Sequence, residues 1–357
     1  MDAREKTEKL LVEHYLKYPQ LQIEDMFKFL HQSSFGCEHL LSDEDSVINY
    51  IQKEATDYMF FAQEPVEDLD GNYCRVHLDY IKKGLALETL GKLFCLSAKP
   101  EKEGKKLLEE KLFVMMELVK KGQLPFSELE TKQAMEKWCQ EGYPSCHHSE
   151  VFRNSYHPAY RVLKKEYGLF LPFFLKIDKL LQRGQVICAI EGGSGSGKTT
   201  LSKMLEQVYD CNVFHMDDFF LRPQQRTEER YAEVGGNIDR ERFLEEVLKP
   251  LRKGENVDYV PFDCSTFKLL PAQKISPKKL NIIEGSYSLH PELAGYYDFS
   301  VFLDISQEEQ KKRILKRNSP EFAKRFFEEW IPMEKRYHDG THLKDRCSLV
   351  ININHFK

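Results

Sequence analysis

Hydrophobic positions change their spacing once along this chain, near residue 182. Before that point they recur at helical intervals. Leu10, Leu11, His14 and Tyr15 form one stripe, and Ile23, Met26, Phe27 and Leu30 form a second. Ser42–Lys53 and Lys102–Lys121 carry the same amphipathic repeat. Gly71-Asn72 and Gly122 interrupt it, and Pro144–His148 is rich in turn residues. The pattern predicts a mostly α-helical domain over residues 1–182, with no internal repeat.

After residue 183 short apolar runs alternate with amphipathic ones. Gln185–Ile190, Cys211–Met216, Leu280–Ile283, Phe299–Ile305 and Ser348–Ile353 read as strands. Thr200–Tyr209 sets Leu201, Met204, Leu205 and Val208 on one helical face. A helix following Asp239 carries Phe243, Val247 and Leu251, and Val260–Asp263 reads as a short extended piece. Ser306–Glu309 forms a capping box that opens a basic helix with Lys311, Lys312, Arg313, Lys316 and Arg317. Lys324 and Arg325 fall on a second helix. Strands alternating with helices predict an α/β domain over residues 183–357, a parallel sheet flanked by helices.

The candidate chemistry lies between the first of these strands and its helix. Gly192, Gly193, Ser194, Gly195, Ser196, Gly197, Lys198, Thr199 and Thr200 spell a phosphate-binding loop in the strand–loop–helix setting that such a loop requires. Glycines let successive backbone N–H groups turn inward, and the helix opening at Lys198 adds its positive end. Lys198 is then placed to reach phosphate oxygens, and Thr199 to offer its hydroxyl to Mg²⁺, with ATP as the nucleotide. Two further strands end in acids. Asp217-Asp218 follows Met216 and Glu284 follows Ile283, at the strand ends where parallel sheets collect their ligands. Asp217 there suits either proton acceptance from a substrate hydroxyl or a hold on Mg²⁺ through water, and Glu284 suits metal-bound water or Mg²⁺ itself. The polar stretch Arg222–Gly236 reads as a mobile loop over the site.

Composition narrows the picture. Across 357 residues the formal net charge is −5, which disfavours a general nucleic-acid binder. No apolar run reaches membrane-spanning length, and the start M-D-A-R-E-K has no apolar signal core. Nine cysteines without framework spacing suit reduced thiols in a cytoplasmic protein. In the first half, Cys37 and His39 lie near His31, and Cys146, His147, His148 and His157 form a second group. Neither offers a C-x-x-C half-site, so ordinary hydrogen bonding is expected of them rather than zinc. F-R-N-S-Y-H-P-A-Y-R, Phe152 to Arg161, either lines an anion site or pins a loop to the core, the second being expected.

From Val186 onward the order of pieces resembles the uridine kinase group of P-loop kinases, with its nicotinamide riboside kinase and phosphoribulokinase relatives. The landmarks are G-G-S-G-S-G-K-T-T, H-M-D-D-F-F-L, I-I-E-G, V-F-L-D-I, K-K-R-I-L-K-R and I-P-M-E-K-R-Y. The resemblance implies a base at Asp217, phosphate and Mg²⁺ residues at Lys198 and Thr199, and an acid near the metal at Glu284. It further implies ribose contacts at Asp239 and a basic lid residue at Arg313, with Lys316, Arg317 or Arg325 beside it. Where uridine kinases read the pyrimidine with a tyrosine and a histidine, this chain has Phe262 and Phe267. Neither ring can hydrogen-bond a base edge. The implied protein is an ATP- and Mg²⁺-dependent kinase acting on a hydroxyl of a nucleoside or another polyol-bearing small molecule, with no nucleic-acid or membrane partner. The contrasting reading is an ATP-binding regulator in which nucleotide gates the first domain.

Overall fold

The chain divides into two units, Met1–Leu175 with a three-stranded sheet and Lys176–Lys357 with a five-stranded sheet and, among the described residues, two further two-stranded pairings. The computed structural model describes residues 2–37, 43–57, 66–98 and 102–354. His39 lies outside them.

In the first unit the expected helices form, at Ala3–Lys17, Ile23–Phe35, Glu44–Asp57 and Gly104–Lys120, with others at Leu87–Ser97 and Glu128–Gln140. Asp2 opens the chain's first helix with a reciprocal cap: its carboxylate accepts from the Glu5 N–H at 2.8 Å, and Glu5 accepts from the Asp2 N–H at 3.0 Å. The unit also holds an antiparallel sheet that the hydrophobic pattern does not predict. It comprises β1 (Val66–Asp68), β2 (Tyr73–His77) and β3 (Tyr160–Lys164) in the order β1-β2-β3. All five residues of β2 are buried, including Arg75 and His77, so no apolar–polar alternation marks it. The aromatic stretch Phe152–Arg161 runs into β3, ending as strand rather than loop.

In the second unit five strands form one parallel sheet: β4 (Val186–Gly192), β5 (Cys211–His215), β6 (Leu280–Glu284), β7 (Phe299–Asp304) and β8 (Leu349–Asn352). Their order is β8-β7-β4-β6-β5, with every pairing parallel. Helices cover the sheet, so its inner strands are buried on both faces and read as near-continuous apolar runs. Ile187, Ala189, Phe214, Ile283 and Phe302 join Phe243, Val247 and Leu251 in one core cluster. Ser306 caps the helix Gln307–Arg317 through its side chain. Arg222–Gly236, read as a loop, contains a turn at Pro223–Gln225 and the short helix Glu228–Ala232. Among the described residues no helix is long and apolar enough to cross a membrane.

Candidate phosphate-loop site

The register of the sheet brings the site together. Glu284, the last residue of β6, pairs with Ile190 on β4 and with His215 on β5. Acids at the ends of β5 and β6 therefore stand beside the loop that leaves β4, at the carboxyl edge of the sheet.

The loop itself has the backbone that an anion cradle needs. Gly192, Gly195 and Gly197 hold φ of 153°, 75° and 91°, a region that side chains rarely tolerate. A Cβ at Gly192 would also stand 2.8 Å from the Leu303 carbonyl oxygen. The helix Lys198–Val208 then opens with its free N–H groups toward the loop. Ser196 is buried, and its hydroxyl meets no partner. An unpaired buried hydroxyl within a cradle of N–H groups is what a phosphate ligand would satisfy.

Lys198 curls back over this loop. Its ammonium donates to the carbonyls of Gly192 (2.7 Å) and Gly193 (3.2 Å) and to the Ser286 hydroxyl (3.3 Å). Thr199, exposed at the first helical turn, donates its hydroxyl to Glu284 at 3.2 Å. Glu284 also holds the His215 ring, Nδ1 to Oε1 at 2.7 Å. That hydrogen bond raises the His215 pKa above its ordinary value.

The two neighbouring aspartates are distinguished by their surroundings. Asp218 is tied down, since Tyr259 donates to its carboxylate at 3.1 Å and Arg242 to its backbone carbonyl at 3.0 Å. Asp217 accepts no hydrogen bond among the described residues. It is open to solvent. Desolvation by neighbouring protein atoms raises its pKa above its ordinary value, with Lys198 opposing the shift and Glu284 adding to it.

Other expected residues are engaged elsewhere. Asp239 is buried at the cap of the helix Arg240–Phe243 and accepts from the Gln225 side chain at 2.8 Å. Arg313 lies beside the loop, bonded to Glu309 at 2.9 Å and to the Ile353 carbonyl at 3.0 Å, with a longer 3.5 Å contact to the Gly195 carbonyl. Phe262 is buried, whereas Phe267 is 55% exposed with the Arg226 guanidinium 5.1 Å from its ring. The two rings thus do not share one environment.

Sequence reasoning missed two acids of this site. Glu334, on the helix Ile331–Gly340, is buried against the loop. It accepts from the Ser194 N–H (2.8 Å), the Ser194 hydroxyl (2.7 Å) and the Ser286 hydroxyl (2.8 Å). A carboxylate thus occupies donors that the loop turns toward anions. Glu191, the residue before the loop, is fully buried. It accepts from the N–H groups of Gly192 (2.9 Å) and Leu289 (3.2 Å) and from the Tyr337 hydroxyl (3.3 Å). Glu334 and Tyr337 share one face of their helix, three residues apart. That spacing was the available signal, but its meaning depends on a strand more than a hundred positions away.

The architecture and the site define the class: a P-loop nucleotide-binding type of fold, with a phosphate loop between a central parallel strand and its helix. Residues 187–321 match the family model described as Phosphoribulokinase / Uridine kinase family, and the second unit is similar to that family. The chain is 26% identical over 184 residues to uridine kinase-like protein 4 of Arabidopsis thaliana, covering 44% of this chain and 38% of that one. It is 30% identical over 168 residues to a bifunctional alpha-galactosidase/sucrose kinase of Mediterraneibacter gnavus, covering 39% of this chain and 17% of that protein. The chain therefore spans well under two thirds of the length of these relatives. A solved structure, a possible uridine kinase from Bacillus stearothermophilus, aligns with 49% of this chain and 97% of its own at 22% identity and a TM-score of 0.37.

Burial raises the Glu191 pKa from 4.5 to about 7, against the opposing pull of Lys198. Its folded value exceeds its unfolded value, so the fold binds more protons across that window and loses stability as pH rises through it. Glu191→Gln removes this loss. The substitution is expected to raise the melting temperature more at pH 8 than at pH 5, the difference corresponding to at most about 3 kcal/mol. Equal effects at both pH values would show that Glu191 is not protonated by burial.

Proposed function

We propose that the second unit is a kinase that uses ATP and Mg²⁺ to phosphorylate a hydroxyl of a small polyol-bearing molecule. The observation that carries this reading is Asp217, a carboxylate without a hydrogen-bond partner at the end of β5 beside the phosphate loop. A nucleotide-gated regulator needs phosphate contacts but has no use for a free carboxylate beside them.

The residues fit the nucleotide and its ion. The loop N–H groups and Lys198 hold the phosphates. Thr199 and Glu284 would hold Mg²⁺, an ion that commonly takes only one or two protein ligands. Among the described residues no three His, Cys, Asp or Glu side chains gather to bind an ion alone, in keeping with an ion that arrives with the nucleotide. When bound, Mg²⁺ neutralises charge on the phosphates.

Asp217 would orient the acceptor hydroxyl and take up its proton as that oxygen bonds to the γ-phosphorus of ATP and the bond from that phosphorus to the departing ADP breaks. Its raised pKa brings it closer to the task, since a base works best with a pKa near the operating pH. Asp218, held by Tyr259 and Arg242, fixes the turn on which Asp217 stands. Lys198, at the mouth of the loop, would supply the positive charge for the transferred phosphoryl group. The acceptor falls outside the strict uridine pattern. Phe262 offers no hydrogen bond to a base edge, and Asp239 is occupied by its cap and Gln225. A sugar or polyol, as in the acceptors named for the phosphoribulokinase and sucrose kinase relatives, suits such a pocket better than a pyrimidine.

Lys198→Ala and Asp217→Asn are expected to separate binding from transfer. Asp217→Asn should keep nucleotide affinity and lower turnover by about a hundredfold or more, while Asp218→Asn does less. Lys198→Ala should abolish most transfer in a folded protein. An assay of uridine, cytidine, nicotinamide riboside, simple sugars and polyols checks the acceptor. Selective phosphorylation of uridine would sink the argument from Phe262, and near-normal turnover in Lys198→Ala would sink the kinase reading.

Transfer is further expected to fall on acidification at a higher pH than an ordinary carboxylate would dictate, because Asp217 must be ionised and its pKa is raised. The pH profile of turnover over KM reads this directly. An acid limb at or below the usual aspartate range would remove Asp217 as the base.

Glu334→Gln tests the carboxylate in the loop. Removing its charge is expected to tighten binding of a non-hydrolysable ATP analogue severalfold by calorimetry, since phosphate no longer competes with a like charge. Weaker binding would instead assign Glu334 to holding the loop in shape.

A further inference from the structure

One helix of the second unit touches both sides of the proposed reaction. Ile331–Gly340 brings Glu334 and Tyr337 against the phosphate loop and the strand that feeds it. Between them in sequence, Arg336 bonds instead to the polar stretch Arg222–Gly236. The transfer chemistry itself requires neither contact.

On the phosphate side the helix closes over Ser194. Glu334 accepts from its N–H at 2.8 Å and its hydroxyl at 2.7 Å, while Gln310 donates to its carbonyl at 2.9 Å. Glu334 also accepts from the Ser286 hydroxyl at 2.8 Å, and the Lys198 ammonium lies 3.3 Å from that hydroxyl. The N–H groups deeper in a loop of this kind cradle the inner phosphates, and its lysine reaches the outermost one. The Ser286 hydroxyl, between lysine and carboxylate, therefore marks the neighbourhood of the terminal phosphate of ATP. The shorter ADP ends before it. A terminal phosphate and Glu334 are like charges competing for the same donors, and the second must give way to the first.

The carboxylate has little room to swing aside. Glu334 and Tyr337 are both buried, and a Cβ on Gly193 would stand only 3.6 Å from Glu334 Oε2. Close-packed groups yield by moving the element that carries them. The start of the helix permits such a movement. A π-helical turn, Phe326–Trp330, runs directly into it, and Pro332 brings no N–H to the ladder there. Both features loosen its tie to the residues before it.

On the other side the same helix carries the polar loop. Arg336 Nη2 donates to the Tyr231 carbonyl at 2.6 Å and reaches that of Glu233 at 3.4 Å. The backbones also lie close: a Cβ on Gly340 would stand 3.1 Å from Val234, and one on Gly235 3.1 Å from the Tyr337 ring. Arg230 braces the loop as one piece, donating to the carbonyls of Gly236 at 2.9 Å and Ile238 at 2.8 Å. Both ends of the loop return to the turn that bears Asp217. The Asp239 N–H donates to the Phe219 carbonyl at 2.7 Å, and Gln225 donates to the Asp239 carboxylate at 2.8 Å. A shift of the helix thus reaches the residues beside the proposed base through the backbone of this loop.

We infer that the helix Ile331–Gly340 reads the terminal phosphate of the nucleotide and passes its arrival to the loop Arg222–Gly236. With ADP bound, Glu334 stays seated on Ser194. With ATP bound, the carboxylate gives way, the helix shifts, and Arg336 moves residues 228–236 with it. The acceptor side is then set by ATP and not by ADP, which orders the events: nucleotide first, acceptor second. This inference rests on the kinase reading.

The test is amide hydrogen exchange read by mass spectrometry, on the full chain with Mg²⁺ and either ADP or the β,γ-imido analogue of ATP. Both nucleotides should protect residues 192–200. The analogue alone should change exchange over residues 331–340 and 228–236 together. Arg336 is exposed, and Arg336→Ala should keep the first of these changes and lose most of the second. Glu334→Gln should tighten the analogue severalfold by calorimetry and leave ADP affinity unchanged. Suppose both nucleotides protect 192–200, yet 228–236 is unmoved by the analogue or moved equally by ADP. That result overturns the inference and leaves the kinase reading standing. An undiminished change over 228–236 in Arg336→Ala, or equal tightening of both nucleotides in Glu334→Gln, overturns it as well. No protection of 192–200 by either nucleotide would sink the inference and the kinase reading together.

Discussion

Everything at the carboxyl edge of the second unit depends on one ammonium group. Lys198 is the cation in whose field Glu191 and Asp217 both stand, and its pull is the first force opposing their desolvation. The fold brings Glu284 and Glu334 to the same edge, and the Ser286 hydroxyl touches both Lys198 and Glu334. Such a gathering of acids repels itself unless a cation or protons intervene. Here one cation and the N–H groups of the loop hold the acids, and burial keeps a proton on Glu191 up to near neutrality.

This balance holds the loop in shape through its own side chains. The Glu334 carboxylate takes donors from Ser194, and Lys198 takes carbonyls of the same loop. Both are the charges that phosphate would rearrange, the first by repulsion and the second by attraction. A site arranged in this way exchanges one set of charge-assisted hydrogen bonds for another and does not have to order a loose loop from nothing.

The second unit was legible because the inner strands of its sheet are buried on both faces. V-I-C-A-I and F-S-V-F-L show as apolar runs whatever the register, and the glycine pattern between strand and helix fixes the loop's place. Asp217 and Glu284 followed from being the first acids after such runs. Glu191 also follows directly on one, but lies on the buried side of the turn, and only the fold shows that Leu289 and Tyr337 reach it. The first unit's sheet was hidden for the opposite reason. Y-C-R-V-H mixes polar and apolar residues that are all buried, and its partner β3 lies far along the chain. A strand whose inward face is Arg75 and His77 resembles a solvated segment, because hydrophobic periodicity assumes that charge faces water.

That failure of pattern is itself informative about energetics. Burying Arg75, Glu67, Asp25 and three histidines forgoes the stabilisation that apolar side chains of similar volume would supply, and replacing buried ion pairs by well-packed hydrophobes is often neutral or stabilising. Packing alone therefore gives no reason for this core. The second unit makes the contrast plain, since its acids collect at one edge while the middle of its sheet is Ile187, Ala189, Ile282 and Val301. In the first unit the charge sits in the middle of the sheet. Local sequence rules break where a protein puts side chains to a use other than folding, and in this chain they break at the phosphate loop and again between β2 and the helix Ile23–Phe35.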